Sequence, residues 1–179
     1  MGGKTVGEEA PDLVGYITGL RAWRFAESDA GWRLQSAIQN LIWPTKERLE
    51  AECLVTKMPT HPMVPSPRPI PHQDPPPHEP CKCGFWGLAE PNELYTQYGR
   101  RAIRQVGPDS ERYVYGTVAL WGRVVTGTKG WRSQYAFPLA LVLEAASLNN
   151  RGLLSRLAET YGIPVVQNWP EASELVANA

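Results

Sequence analysis

The stretch YVYGTVALWGRVVTGTKGWRSQYAF, Tyr113–Phe137, decides the fold class. Val114, Gly116, Val118, Leu120, Gly122 and Val124 fall on one parity, and Tyr113, Tyr115, Thr117, Ala119, Trp121, Arg123 and Val125 on the other. Successive side chains of a strand point to opposite faces, so apolar residues on both parities predict a strand packed on both faces over part of its length. Thr126-Gly127-Thr128-Lys129-Gly130 supplies a turn, and Trp131–Phe137 alternates back, completing a β-hairpin. Pro138 is expected to end the second strand, because it has no N–H to give the ladder. Leu139–Ala146 is apolar and short, and its periodicity leaves strand and helix both open.

Working outward, a second hairpin is expected near the N-terminus. Tyr16–Ala26 has apolar residues at Leu20, Ala22, Trp23 and Phe25, Glu27–Gly31 has turn chemistry, and Trp32–Ser36 returns. Ala37–Trp43 either extends that strand or starts another, and Pro44 ends it. Residues 45–53 have a helix-friendly composition with a thin apolar stripe. Two helices and a final helical turn follow from capping and spacing. The first runs from Pro91 to about Gln105, with Leu94, Tyr98 and Ala102 on one face. The second runs from Arg151 to Tyr161, capped by Asn149 or Asn150 and stopped by Gly162. The third is a last helical turn opened by Trp169-Pro170-Glu171. Ile163–Val166 reads as an edge strand. The predicted architecture is α+β: two β-hairpins forming a small sheet, two packed helices, and a proline-rich loop at about 57–80 stapled by zinc. Residues 1–12 are expected to be a flexible end, and 13–179 a single domain.

The window Cys53–Cys83 concentrates the chain's reactive chemistry. It holds all 3 cysteines (Cys53, Cys81, Cys83), all 3 histidines (His61, His72, His78) and ten of the 17 prolines. An odd cysteine count with a C-x-C pair fits a disulfide framework poorly and metal binding in a reducing cytoplasm well. Zinc takes four N or S ligands tetrahedrally, so Cys53, Cys81 and Cys83 need one imidazole. His78 is the first choice because it lies three residues before Cys81; His72 and then His61 follow. The alternative is three unrelated reduced thiols beside loop histidines. A cysteine-rich set of four protein ligands is closed, which favours a structural role over a catalytic one.

Other chemistry is thinly represented. Eighteen basic residues balance 18 acidic ones, which argues against a chain dominated by phosphate binding. The sequence contains no G-x-S-x-G elbow, P-loop, H-E-x-x-H or G-x-G-x-x-G, and its reading leans away from an enzyme. No run of about 20 apolar residues is present, and the N-terminus lacks the layout of a signal peptide, so a cytoplasmic protein is expected. Trp23-Arg24, Trp32-Arg33 and Trp131-Arg132 offer stacking plus cationic contacts if they share a surface. Strand alternation offers the opposite outcome, each Trp inward and its Arg outward. Proline tracts are ready ligands for aromatic grooves, and Pro62–Pro65 and Pro77–Pro80 fit P-x-x-P. The expected function is therefore a non-enzymatic interaction or adaptor protein with a protein partner and a structural zinc. The alternative is a nucleic-acid-binding accessory protein using the Trp/Arg strands.

Gly19-Leu20-Arg21-Ala22-Trp23, Trp43-Pro44, the lone Cys53, Cys81–Gly84 and the hairpin Leu120–Pro138 together form a pattern over most of the chain. In it the chain resembles small uncharacterised proteins of high-GC Gram-positive bacteria and their mobile elements. The resemblance implies a shared single fold and shared cysteine positions.

Overall fold

The computed structural model describes residues 15–29, 31–53, 72, 74–79, 81–104, 113–143 and 151–177, with side chains omitted at 99–104 and 176–177. The expectations for residues 1–12, for His61 and for most of the proline tract fall outside these residues. Seven strands and three helices follow in the order β1 (Ile17–Ser28), β2 (Gly31–Ser36), β3 (Leu49–Glu50), β4 (Phe85–Leu88), α1 (Pro91–Arg104), β5 (Tyr113–Gly127), β6 (Gly130–Val142), α2 (Arg151–Tyr161), β7 (Val165–Val166) and α3 (Trp169–Ala177). The α+β class holds, with both hairpins in one mixed sheet of seven strands.

The long hairpin β5–β6 is the spine. Residues 113–121 are all buried, because both faces of β5 are covered. Val114, Val118 and Leu120 pack with Trp23, Leu34, Trp43, Phe85 and Leu141 under α2 residues Leu154, Leu157, Ala158 and Tyr161. Tyr113 and Tyr115 pack with Leu20, Ala22 and Leu88 under Leu94 and Tyr98 of α1 and Trp169 and Ala172 of α3. The two-faced pattern in the sequence is thus two half-cores, one on each side of the same strand. Register shifts between Thr117 and Val118 and between Trp121 and Val124 bend the hairpin. The pairings β1–β5, β5–β6, β6–β4 and β4–β1 then run in a closed circuit, with Leu20 opposite Leu88 as the last link.

Two local expectations change, and the open choice at residues 37–43 is decided. Pro138 does not end β6, which continues to Val142. One extra residue, Leu139, enters β6 between the pairs Thr117–Ala140 and Val118–Pro138, so the proline sits beside a bulge where the ladder is already broken. Residues 45–53 form no helix; Leu49 and Glu50 pair with Ala136 and Tyr135, and the Ala51 N–H donates to the Gln134 carbonyl (2.8 Å). Helix propensity over so few residues is a weak force beside an open strand edge. Residues 37–43 return tightly along β2 rather than extending it: Ser36 N–H donates to Leu41 O and Trp43 N–H to Leu34 O, both at 2.9 Å.

The helix ends follow their chemistry. At the end of α2, Gly162 N–H donates to Glu159 O and Ile163 N–H to Ala158 O, the two bonds of a Schellman closure. α3 is a full helix rather than one turn; Asn168 Oδ1 accepts the Glu171 N–H (2.9 Å) and Glu171 Oε2 accepts the Gln167 N–H (2.7 Å). No helix among the described residues is long and apolar enough to cross a membrane.

Tyr161 ties α2 to the first hairpin. Its buried hydroxyl donates to the Trp43 carbonyl (2.7 Å) and accepts the Leu34 N–H (2.9 Å). Tyr161→Phe leaves two buried backbone groups unpaired and is expected to cost about 1–3 kcal/mol in urea unfolding. Burial raises the Tyr161 phenol above its ordinary value, and burial with neighbouring Tyr95 pushes Tyr115 up to about 12. Above pH about 10 the unfolded chain releases these phenolic protons while the folded chain keeps them. The unfolded state then binds fewer protons, so stability falls as pH rises through that window. Tyrosinate absorbance of folded protein should accordingly lag behind that of urea-unfolded protein at high pH.

Candidate metal centre

β3 and β4 both pair with the same edge of β6, one with residues 135–136 and the other with residues 130–133. The chain after β3 and the chain before β4 therefore meet beside residues 133–134. Cys53 lies three residues beyond Glu50, and Cys83 two residues before Phe85, so the sheet itself draws the cysteines together across 27 intervening residues between Cys53 and Cys81. The sulfurs of Cys53 and Cys81 are 3.6 Å apart, and Cys83 Sγ lies 3.4 Å from His72 Nε2. All four ligand atoms lie within 4.8 Å of one another, close enough to hold a metal ion. A tetrahedral zinc with ordinary bond lengths sets S···S at about 3.8 Å and S···N at about 3.6 Å. The observed spacings match that size.

The shell around the ligands is built from backbone. His72 Nδ1 lies 2.8 Å from the Asp74 carbonyl; as the donor there it leaves the Nε2 lone pair towards the sulfurs. The His78 N–H donates to Cys83 Sγ (3.4 Å), and the Cys81 N–H closes a turn on His78 O (3.1 Å). Gly84 follows Cys83 at φ +104, a backbone shape that side chains resist. A Cβ there would lie 2.9 Å from Pro77 Cβ and 3.1 Å from the Ser133 carbonyl, so only glycine lets the loop dock on β6. Cys53 and Cys81 are buried, and Cys83 is half-buried.

The imidazole in the group is His72, not His78. Spacing favours His78, but its backbone is committed to the turn around the sulfurs, and its ring stacks on His72 at 4.5 Å with an interplanar angle of 13°. The nearer histidine in sequence is thereby the outer one in space. No feature of the sequence signals this, since it depends on how Pro75–Pro77 route the chain.

The Trp–Arg pairs do not form a common exposed surface. Trp23 is fully buried, edge-on to Trp43 at 5.5 Å. Trp32 packs against Phe25 at 5.7 Å, and Trp131 is half-buried against the same core. Arg24 donates to Asn40 Oδ1 (2.8 Å), and Arg33 Nη1 to the Trp32 carbonyl (3.0 Å). Trp131 packs inward as expected, but Arg132 is buried against the cysteine loop instead of pointing outward. That face is an interior because the loop before β4 lies over it, with the carbonyls of His78, Glu79, Cys81 and Cys83 on the guanidinium.

Two residues to which the sequence pattern assigns no role meet at β4. Trp86, 45% exposed, is the exposed tryptophan among the described residues; it lies opposite Arg132 in the β4–β6 ladder, with the guanidinium 5.4 Å from its ring. Arg21 of β1 donates to the Trp86 carbonyl and lies 5.0 Å from the Trp43 ring centre, where burial lowers its pKa to about 10. β4 is thus gripped by an arginine from each neighbouring strand. Comparison of the chain with protein-family models, curated proteins and solved structures finds no match, so the reading of the site rests on its own residues and geometry.

Proposed function

We propose that the protein is a non-enzymatic interaction or adaptor protein whose Cys53, His72, Cys81 and Cys83 bind a structural zinc. The observation that carries the reading is the four-ligand group itself: three sulfurs and one imidazole whose ligand atoms all lie within 4.8 Å of one another. Thiolate-rich sets favour zinc over magnesium or calcium, which take oxygen ligands. Four protein ligands fill the tetrahedron, leaving no position at which substrate or water is activated. The ion would pin the end of β3 to the start of β4 and anchor both ends of the proline-rich excursion. Such an anchored tract is suited to a protein partner with an aromatic groove, in a reducing cytoplasm that keeps the thiolates available.

The first test is metal content by mass spectrometry of protein purified without a histidine tag. One zinc per chain is expected for the wild type and for His78→Ala, and less than about 0.2 for His72→Ala, since loss of a ligand from a tetrahedral site removes most of its affinity. Equal zinc in both histidine variants would refute this ligand set. The second test is purification from the native host: a protein partner retained by wild type and lost with Cys81→Ser supports the adaptor role. Stoichiometric single-stranded nucleic acid, released steeply by salt, would replace it with the nucleic-acid alternative.

A further inference from the structure

We infer that Arg132 is the positioning residue of the metal loop, an inference resting on the zinc reading of the cysteine–histidine group. Arg132 projects from β6 beneath the loop and is buried at 9% exposure. Its Nη1 donates to the carbonyls of His78 (3.3 Å), Cys83 (3.1 Å) and Cys81, and its Nη2 to that of Glu79 (3.5 Å). One side chain therefore holds four carbonyls within a six-residue span that includes two of the metal ligands.

The electrostatic consequence is direct. A carbonyl oxygen turned towards three thiolates repels them, whereas one held on a guanidinium is turned away. With those carbonyls gathered on Arg132, the loop can present N–H groups to sulfur, as His78 does to Cys83. Three thiolates and a divalent zinc carry a net charge of −1, and the guanidinium offsets it at short range in a partly dehydrated setting. Lysine cannot replace this arrangement: an ammonium is a compact point charge with three donors, while the planar guanidinium spreads five donors over a fixed fork. Trp86 covers the guanidinium from the solvent side, with its ring 5.4 Å away and its Nε1–H donating to the Lys82 carbonyl (3.2 Å). Arg132 touches no ligand atom; it acts by holding the backbone that carries them.

The experiment compares wild type, Arg132→Lys and Arg132→Met with Arg48→Met, which removes an exposed arginine stacked 4.3 Å from the Tyr135 ring. Zinc affinity is measured by competition with a chromophoric chelator, and ligand geometry by the visible spectrum of the cobalt-substituted protein. Both Arg132 variants are expected to bind zinc about 10–100-fold more weakly, with shifted cobalt bands, while Arg48→Met matches wild type. Wild-type affinity and wild-type cobalt spectra in both Arg132 variants overturn the inference, provided the wild type holds one zinc. A wild type that holds none sinks the underlying zinc reading as well. If the variants do not fold, nitrogen NMR of the wild type decides: an assigned Arg132 guanidinium protected in the zinc form and released on chelation supports the role, and an unprotected Arg132 guanidinium in the zinc form overturns it.

Discussion

Cys81→Ser is expected to lower the melting temperature by about 8–16 °C and to strip the protein of zinc. An ion bound only by the folded state at a thousand times its dissociation constant contributes about 4 kcal/mol. For a domain of this size each kcal/mol moves the midpoint by about 2–4 °C. The expected effect is large because the proposed ion would join segments that otherwise hold poorly: β3 and β4 are two and four residues long. β4 also closes the circuit of strands through Leu20–Leu88 and carries Phe85 into the core. Losing the staple therefore loosens more than the loop. A strong chelator added to wild type should reproduce the shift, and zinc added back should reverse it in wild type but not in Cys81→Ser. A wild-type midpoint unmoved by chelation would mean that the ion, if bound, does not support the fold.

Gly116→Ala is expected to destabilise by about 3 kcal/mol or more, at the upper end of what overpacking does. A Cβ at Gly116 would meet the Ala140 carbonyl oxygen head-on, with the Ala140 carbonyl carbon at 3.0 Å and Leu141 Cα at 3.1 Å. Every one of these is backbone of β6, opposite the buried first part of β5, so no side-chain rotation relieves the overlap. The strands must separate, and this is where the hairpin changes register between Thr117 and Val118. Gly152→Ala is the matched control. Nothing lies within 4 Å of its added Cβ, in the first turn of α2, and the substitution should stabilise by up to about 1 kcal/mol through helix propensity and a stiffer unfolded chain. Urea midpoints moving in opposite directions for the two alanines would establish that packing, not glycine as such, sets the sign. Two similar midpoints would contradict the packing at Gly116.

Local chemistry reached far along this chain. The β5–β6 hairpin, the first hairpin, the start of α1 and the span and stop of α2 were legible because each is written in a short pattern: alternation around a glycine turn, or an apolar stripe closed by a glycine; the expected cap at Asn149 or Asn150 and the stop at Gly107 lie outside the described residues. The concentration of cysteine and histidine in one window was legible for the same reason, since ligand chemistry depends on residue type. What sequence could not say was which neighbours meet across the fold. β3 replaces a helix because the edge of β6 is open there; Pro138 is tolerated because a bulge lies beside it; Arg132 is buried because the loop before β4 lies over it. The choice of His72 over His78 belongs to the same class. Two residues separate His78 from Cys81, yet the turn that wraps the sulfurs uses the backbone of residue 78 and leaves its ring stacked on His72. By itself the sequence determined an α+β fold around a two-faced strand and a set of residues fit for a metal. Only the tertiary structure decided which of them converge, because convergence is set by the β6 edge on which β3 and β4 meet, and that edge is assembled from parts of the chain far apart in sequence.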